Sequence, residues 1–213
     1  MSGATLGSTA GPVVVSGGTG GTGPTPLGPT GGQGGSLFGD PARFGLWLFL
    51  GTASMLFIGF TSAYILRRAS ADWQPLSAPG ILWLNTAILF VSSVTLERSR
   101  RRLVGWDLAS ARLWLSLTGL LGALFVAGQW LAWQALAATG VFLASNPHSS
   151  FFYVLTGVHV VHVLAGLIWF AAVFDRIRRM GFTPGEDGLR LFATYWHFLA
   201  VLWAYLLFLL FVY

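Results

Sequence analysis

Long apolar runs alternate with short polar segments from Arg43 to the end of the sequence. Each of five runs has roughly 17 to 25 residues, the length that a helix rising 1.5 Å per residue needs to cross about 30 Å of hydrocarbon. The predicted spans are residues 44–66, 80–96, 113–138, 151–174 and 191–213. The ten-residue alternating strands of an outer-membrane barrel have no counterpart in the sequence. The pattern therefore predicts an all-α, multi-pass membrane protein, a bundle of five transmembrane helices.

Residues 1–42 have a different composition, dominated by Gly, Thr, Ser and Pro. Such a segment cannot bury enough apolar surface to offset the entropy of ordering it. We therefore predict a disordered tail, followed by a single five-helix domain over residues 43–213. A secretory signal is not expected, because no basic residue precedes the short apolar run Val13–Val15.

The arginines predict the orientation of the spans. All twelve basic residues are arginine. Short connections make consecutive helices antiparallel, so successive loops lie on opposite sides of the membrane. Ten arginines fall on the side of the tail, and only Arg67 and Arg68 fall on the other. By the positive-inside rule, the N-terminus is predicted to be cytoplasmic and the C-terminus to lie outside.

Composition supports a membrane protein over a nucleic-acid-binding one. Hydrophobic residues make up 54% of the chain, charged residues 9%, and the mean hydropathy is +0.69. The net charge of +5 comes from arginines beside apolar spans rather than from a separate basic surface. We therefore predict no nucleic-acid partner. Because cysteine is absent, disulfides, iron–sulfur clusters and thiolate metal sites are excluded.

Only three ionisable residues lie well inside the predicted spans, and all are histidines: His159, His162 and His197. Histidines on facing helices can hold haem. Here His162 would lie about 18 Å from the cytoplasmic end of its span and His197 only about 9 Å, too far apart for one metal. His159 and His162, spaced i, i+3, are expected to form a polar stripe that hydrogen-bonds a neighbouring helix or subunit. We predict neither a catalytic residue nor a metal site.

Uncharged polar residues and terminal arginines supply further candidate contacts. Asn85 and Gln129 lie inside predicted spans, where amides commonly bond between helices. The second predicted span is followed by an arginine cluster expected to attract lipid headgroups. The candidate headgroup residues are Arg98, Arg100, Arg101 and Arg102.

Four ordered segments resemble subunit III of the haem–copper terminal oxidases. They are FGLWLFLGTASMLFIGFTSAYI at Phe44–Ile65, NTAILFVSSVTLERS at Asn85–Ser99, SSFFYVLTGVHVVHVLAG at Ser149–Gly166 and YWHFLAVLWAYLLFLLF at Tyr195–Phe211. The likeness covers residues 43–213. The full form of that family has seven spans, and this chain is similar to the five-span bacterial form that lacks the first two.

The resemblance implies a non-catalytic subunit of a respiratory, proton-translocating oxidase of the cytochrome c type in the bacterial cell membrane. Such a subunit binds no cofactor itself; haem and copper are expected in its partners. The implied partners are subunit I, subunit II, a small subunit IV and membrane phospholipids. Its implied roles are to stabilise subunit I, hold lipid and support proton uptake. The residues that match the family and carry over as structural, subunit-contact or lipid-contact candidates are His159, His162, Tyr195, Trp196 and His197.

The sequence departs from the family at three positions where an acid is often found. Alanine stands at each of them: Ala53, Ala132 and Ala200. A role for those acids therefore does not carry over to this chain. The alternatives left open are an accessory subunit of a nitric oxide reductase or of a quinol oxidase. A further alternative, an independent haem-binding membrane protein or transporter, would require haem absorbance or a transported solute in the isolated chain.

Overall fold

Five long helices account for most of the computed structural model, which describes residues 41–73, 75–76, 79–179 and 187–212. They are α1 (Pro41–Arg68), α2 (Gly80–Val104), α3 (Leu108–Ala138), α4 (Pro147–Arg179) and α5 (Asp187–Phe211). Each is long and apolar enough to cross a membrane. The described residues contain no strand. The predicted all-α, five-span fold class is thus confirmed.

The helices extend beyond several predicted spans. The span predicted to end at residue 96 continues through the arginine cluster to Val104, and the span predicted to end at residue 174 continues to Arg179. Arginine is a good helix former, so a helix can continue after it leaves the apolar region. Of the predicted tail, residues 1–40 lie outside the described residues. Its last two residues, Pro41 and Ala42, begin α1, where proline is favoured because its missing N–H has no helical partner.

Helix α5 occupies the centre of the bundle. It packs against α4, α2 and α1, whereas α3 packs against α2 and α4. Half of the α5 span is buried, a larger share than in any other span. Its largest fully buried side chains are Trp196 and Trp203. Trp196 Nε1 donates to Ser92 Oγ and Trp203 Nε1 donates to Thr86 Oγ1, each at 3.0 Å. Two indoles therefore fasten α5 to α2.

Small and hydroxyl residues bring α2 and α3 close together. The hydroxyls of Thr95 and Thr118 lie 2.9 Å apart, and Ser99 Oγ donates to the Ala111 carbonyl at 2.9 Å. At Gly128, a Cβ atom would overlap the Asn85 side chain. Close backbone approach and interhelical hydroxyl bonds are the usual means of holding helices together in lipid.

A tight turn connects α2 to α3. Trp106 adopts φ 59° within it, and Asp107 caps α3 by accepting a hydrogen bond from the Ser110 backbone N–H at 3.1 Å. Hydrogen bonds from the Ser110 side chain and backbone, together with Arg102, lower the pKa of the Asp107 carboxyl below its ordinary value. The ionised carboxylate is therefore the form that holds this turn.

Candidate functional site

His159 and His162 contact different helices, although they are only three residues apart on α4. His159 is fully buried with its ring centroid 5.9 Å from Phe125 on α3 and 5.1 Å from Trp203 on α5. Neither ring nitrogen has a hydrogen-bond partner among the described residues. The expected bond to a neighbouring helix is thus not found in this part of the chain, and aromatic rings enclose His159 instead.

His162 is half-buried and lies against α1. Its ring is 6.1 Å from Phe49 and 5.8 Å from Phe57, two α1 residues separated by about two turns. Its Nδ1 atom lies 2.8 Å from the Val158 carbonyl. Because a carbonyl only accepts, Nδ1 carries the proton and Nε2 of the neutral ring is an acceptor. The single predicted polar stripe therefore divides into an enclosed His159 and a partly accessible His162.

Tyr195 and Trp196 connect α5 to its neighbours on two sides. Tyr195 donates through its hydroxyl to the His162 carbonyl at 2.8 Å. Trp196, beyond its bond to Ser92, packs over Gly122 and Gly166, where an added Cβ would come within 3.2 Å of its ring. Both side chains therefore contact neighbouring helices within this chain.

His197 lies in a groove between α2 and α5, together with Ser93, Glu97 and Arg98. The cavity has a volume of about 600 Å³ and its remaining lining is apolar. A second cavity, of about 330 Å³, lies between α1, α4 and α5 beside Phe49, Trp169 and Tyr195. Both cavities have a mainly apolar lining with a few polar atoms, which suits an amphipathic ligand.

The two predicted amides lie in the bundle core. Asn85 is buried against Gly128, and its Nδ2 atom has no hydrogen-bond partner in the described part of the chain. Gln129 is fully buried, and neither its Nε2 nor its Oε1 atom has a hydrogen-bond partner among the described residues. The expected interhelical amide bonds are therefore not found among the described residues.

Three of the four candidate headgroup arginines pair with carboxylates. Glu97 accepts from Arg100 at 2.7 Å and from Arg101 at 3.4 Å, and Arg102 lies 3.5 Å from Asp107. Arg98 differs from them, because its guanidinium lies over the Trp114 ring, 5.2 Å from the centroid. All these pairs are at least partly exposed, so each stabilises the fold only slightly.

The three alanines at family acid positions are buried. Ala53 is 4% exposed, Ala132 0% and Ala200 3%. Ala53 lies on α1 between Phe49 and Phe57, on the face that meets His162. An apolar methyl group therefore stands on the α1 face that meets this imidazole.

The histidines do not converge on a common centre. His159 faces α3 and α5, His162 faces α1, and His197 lies between α2 and α5. In the described ranges, no group of three or more His, Cys, Asp or Glu residues could hold a metal ion. The three histidines therefore do not form one metal-binding group in the part of the chain that the structure describes.

A fourth histidine, His148, lies outside the predicted spans. It is buried at the start of α4, and its two nitrogens contact the backbones of Leu76 and Leu210. The residue follows Pro147 and precedes the apolar run, so hydropathy alone assigns it to a loop. The Asn–Pro start of the helix was the available signal, since Asn146 caps α4 by accepting from the Ser149 backbone N–H.

Comparisons with known proteins identify the family. The family model for cytochrome c oxidase subunit III matches residues 32–213. Cytochrome c oxidase subunit 3 of Corynebacterium diphtheriae is 34% identical over 168 residues, covering 75% of this chain and 82% of that protein. The Synechocystis subunit 3 is 32% identical over 180 residues, covering 81% and 76% respectively.

A quinol oxidase subunit is similar to the same degree. Cytochrome bo(3) ubiquinol oxidase subunit 3 of Pseudomonas putida is 32% identical over 171 residues, covering 78% of this chain and 82% of that protein. The matches confirm the resemblance found in the four sequence segments. The chain belongs to the cytochrome c oxidase subunit III family and is a subunit III of a haem–copper oxidase.

Proposed function

We propose that this chain is a non-catalytic subunit that stabilises the haem-bearing subunit I, binds phospholipid and supports proton uptake in a bacterial plasma membrane. Family membership already places it in a membrane complex with other oxidase subunits. Haem and copper then belong to those partners, chiefly subunit I, with subunit II and a small subunit IV completing the complex.

The observation that carries the proposal is the open face of α1. Its span is only 28% buried. Gly45, Gly51 and Gly59 on α1 have open space where a Cβ would stand, and Met55 between them is 76% exposed. Small residues let helices approach closely in lipid, where packing rather than the hydrophobic effect drives association. This face suits a helix of a partner subunit better than acyl chains alone.

A photo-crosslinking residue at Met55 would test this contact. We expect cross-links from position 55 to another oxidase subunit in intact membranes. Leu113 on α3 is similarly exposed, at 70%, and serves as the matched control position. Cross-links from position 55 to lipid alone would contradict the proposal for α1.

The proposed orientation rests on the arginines at the helix ends. The arginine-rich ends of α2 and α4 would face the cytoplasm, and Arg67 and Arg68 at the end of α1 would face outside. The chain would then support proton uptake at the cytoplasmic ends of its helices, where Glu97 and Asp107 lie. The buried alanines at positions 53, 132 and 200 offer no carboxylate in the interior.

Turnover inactivation tests the stabilising role. We expect oxidase purified without this chain to start at the same rate as the complete complex and to lose activity after fewer turnovers. Adding the chain back should restore the lifetime. Equal lifetimes with and without the chain would contradict the role, as would loss of haem from subunit I before turnover begins. Because one relative is a quinol oxidase subunit, a quinol oxidase is the second candidate assembly.

A further inference from the structure

Two amide side chains in the bundle core have atoms without a hydrogen-bond partner in the described part of the chain. Asn85 on α2 is 1% exposed and Gln129 on α3 is 0% exposed. The atoms concerned are Asn85 Nδ2 and both Nε2 and Oε1 of Gln129. Burying an amide without a hydrogen bond costs free energy, because the bonds that it makes with water in the unfolded chain are lost. Native cores therefore supply such atoms with a partner.

The two amides lie in one small region of the core. A Cβ atom built at Gly128 would stand 2.0 Å from Asn85 Oδ1 and 3.0 Å from Asn85 Nδ2. The Asn85 amide therefore packs directly on the α3 backbone at Gly128. Gln129 is the next residue, and consecutive Cα atoms are only about 3.8 Å apart. A small molecule beside Gly128 could thus contact both amides.

The nearest side-chain hydroxyls and indoles cannot donate to Gln129 Oε1, because their hydrogens are already engaged. On the side of α4, Trp133 Nε1 donates to Thr156 Oγ1 at 3.1 Å, and that hydroxyl donates to a carbonyl of its own helix. Next to Asn85, Thr86 Oγ1 accepts from Trp203 Nε1 and also donates within its own helix. The acceptor on Gln129 therefore needs a donor from another source.

Water is the ligand that suits these atoms. It both donates and accepts hydrogen bonds, it is the smallest polar ligand, and it binds where two to four polar partners converge. The side chains beside Gln129 on α3 are small: Gly128 precedes it, and Ala132 follows on the same helix face and is fully buried. His159, the other fully buried polar residue without a partner in the described ranges, lies between aromatic rings instead.

We propose that Asn85 and Gln129 bind two ordered water molecules inside the bundle. The first water accepts from Asn85 Nδ2 and donates to Gln129 Oε1, and so links α2 to α3. The second accepts from Gln129 Nε2 and from the first water. Two are needed because Nε2 and Oε1 point away from each other, so one water cannot serve both and also reach Asn85. The site belongs to the fold and does not depend on the role proposed above.

A density map of the purified complex, at a resolution that shows water, tests the site in the intact protein. We expect two separate densities within hydrogen-bond range, about 2.7–3.2 Å, of the three amide atoms. A map of Gln129→Leu should lack both. No density at these atoms in the wild-type complex would overturn the proposal, whether the amides pair with other protein atoms or stay unpaired.

A double-mutant cycle tests whether the two amides share the waters. Asn85→Leu and Gln129→Leu keep the approximate shape of each side chain, and each should lower the temperature at which the chain dissociates from the heated complex, because the other amide loses its water. The double variant should recover most of the loss, since no unpaired amide remains. Gln134→Leu, at an exposed position on α3, is the matched control and should cause no shift. A shift in the double variant equal to the sum of the single shifts would overturn the shared site.

Discussion

His148 accepts a hydrogen bond from the backbone N–H of Leu76 through its Nδ1 atom, at 2.8 Å. Its Nε2 atom lies 3.0 Å from the Leu210 carbonyl, and because a carbonyl only accepts, Nε2 carries the proton. Trp73 stacks on the same ring with centroids 4.8 Å apart. One neutral imidazole thus fastens the α1–α2 connection to the start of α4 and the end of α5.

Replacing His148 with Phe should destabilise the subunit while preserving the ring stack. Two backbone groups would lose their partner, at about 1 kcal/mol for each hydrogen bond. The effect is measured as the midpoint temperature at which this chain dissociates when the purified complex is heated. Leu143→Ala, in the neighbouring exposed connection, should leave the midpoint unchanged. An unchanged midpoint for His148→Phe would show that the two hydrogen bonds do not hold the helices together.

His159→Phe should have the opposite outcome. Both nitrogens of His159 are buried without a partner among the described residues, so an apolar ring of similar shape removes an uncompensated desolvation cost. We expect the midpoint to stay the same or rise, and the haem content of the complex to be unchanged. A lower midpoint would mean that His159 has a hydrogen-bond partner in the assembled complex, and a loss of haem would contradict its structural role.

Gly128→Ala should weaken the contact between α2 and α3. A methyl group there overlaps the Asn85 side chain, and overpacking of this kind costs about 1–3 kcal/mol. Gly157→Ala on α4 is the control, because open space surrounds its Cβ position and alanine favours the helix. The difference between the two unfolding midpoints measures the cost of the overlap with Asn85. Equal midpoints would contradict the close approach of α2 and α3 at Gly128.

The Asp107 cap predicts a pH dependence. Its pKa is lowered below the ordinary 3.8 by Ser110 and Arg102, so its stabilisation is present above that value and is lost as pH falls through the lower pKa of the folded state. Asp107→Asn keeps a hydrogen-bond acceptor and should remove that part of the acid sensitivity. The acid sensitivity is measured by titrating the purified complex with acid and monitoring its helix content by circular dichroism. Identical acid profiles for the variant and wild type would exclude this contribution.

Hydropathy was enough to predict the number and class of the helices, because the length of an apolar run alone determines whether it can cross the membrane. The neighbours of each side chain were not predictable in this way. Three residues of separation place His159 and His162 about 60° apart on α4, which is compatible with a shared stripe. Packing instead directs His159 toward Phe125 and Trp203 and His162 toward Phe49.

The surroundings of Ser93 and His148 were not predictable from the sequence. Serine is common in membrane helices, and only the buried, unpartnered Oγ atom distinguishes Ser93 from its neighbours. His148 depends on backbone groups from residues 76 and 210, which are far away in the sequence. Contacts of this kind arise from tertiary packing, and residue types and spacing do not encode them.

The most direct test of the proposed subunit role is to purify the complex intact in mild detergent and record its subunit masses together with its visible spectrum. We predict one copy of this chain with a larger haem-bearing subunit, and no haem absorbance from the chain once it is separated. Purification of the chain alone with bound haem would contradict its role as a non-catalytic oxidase subunit.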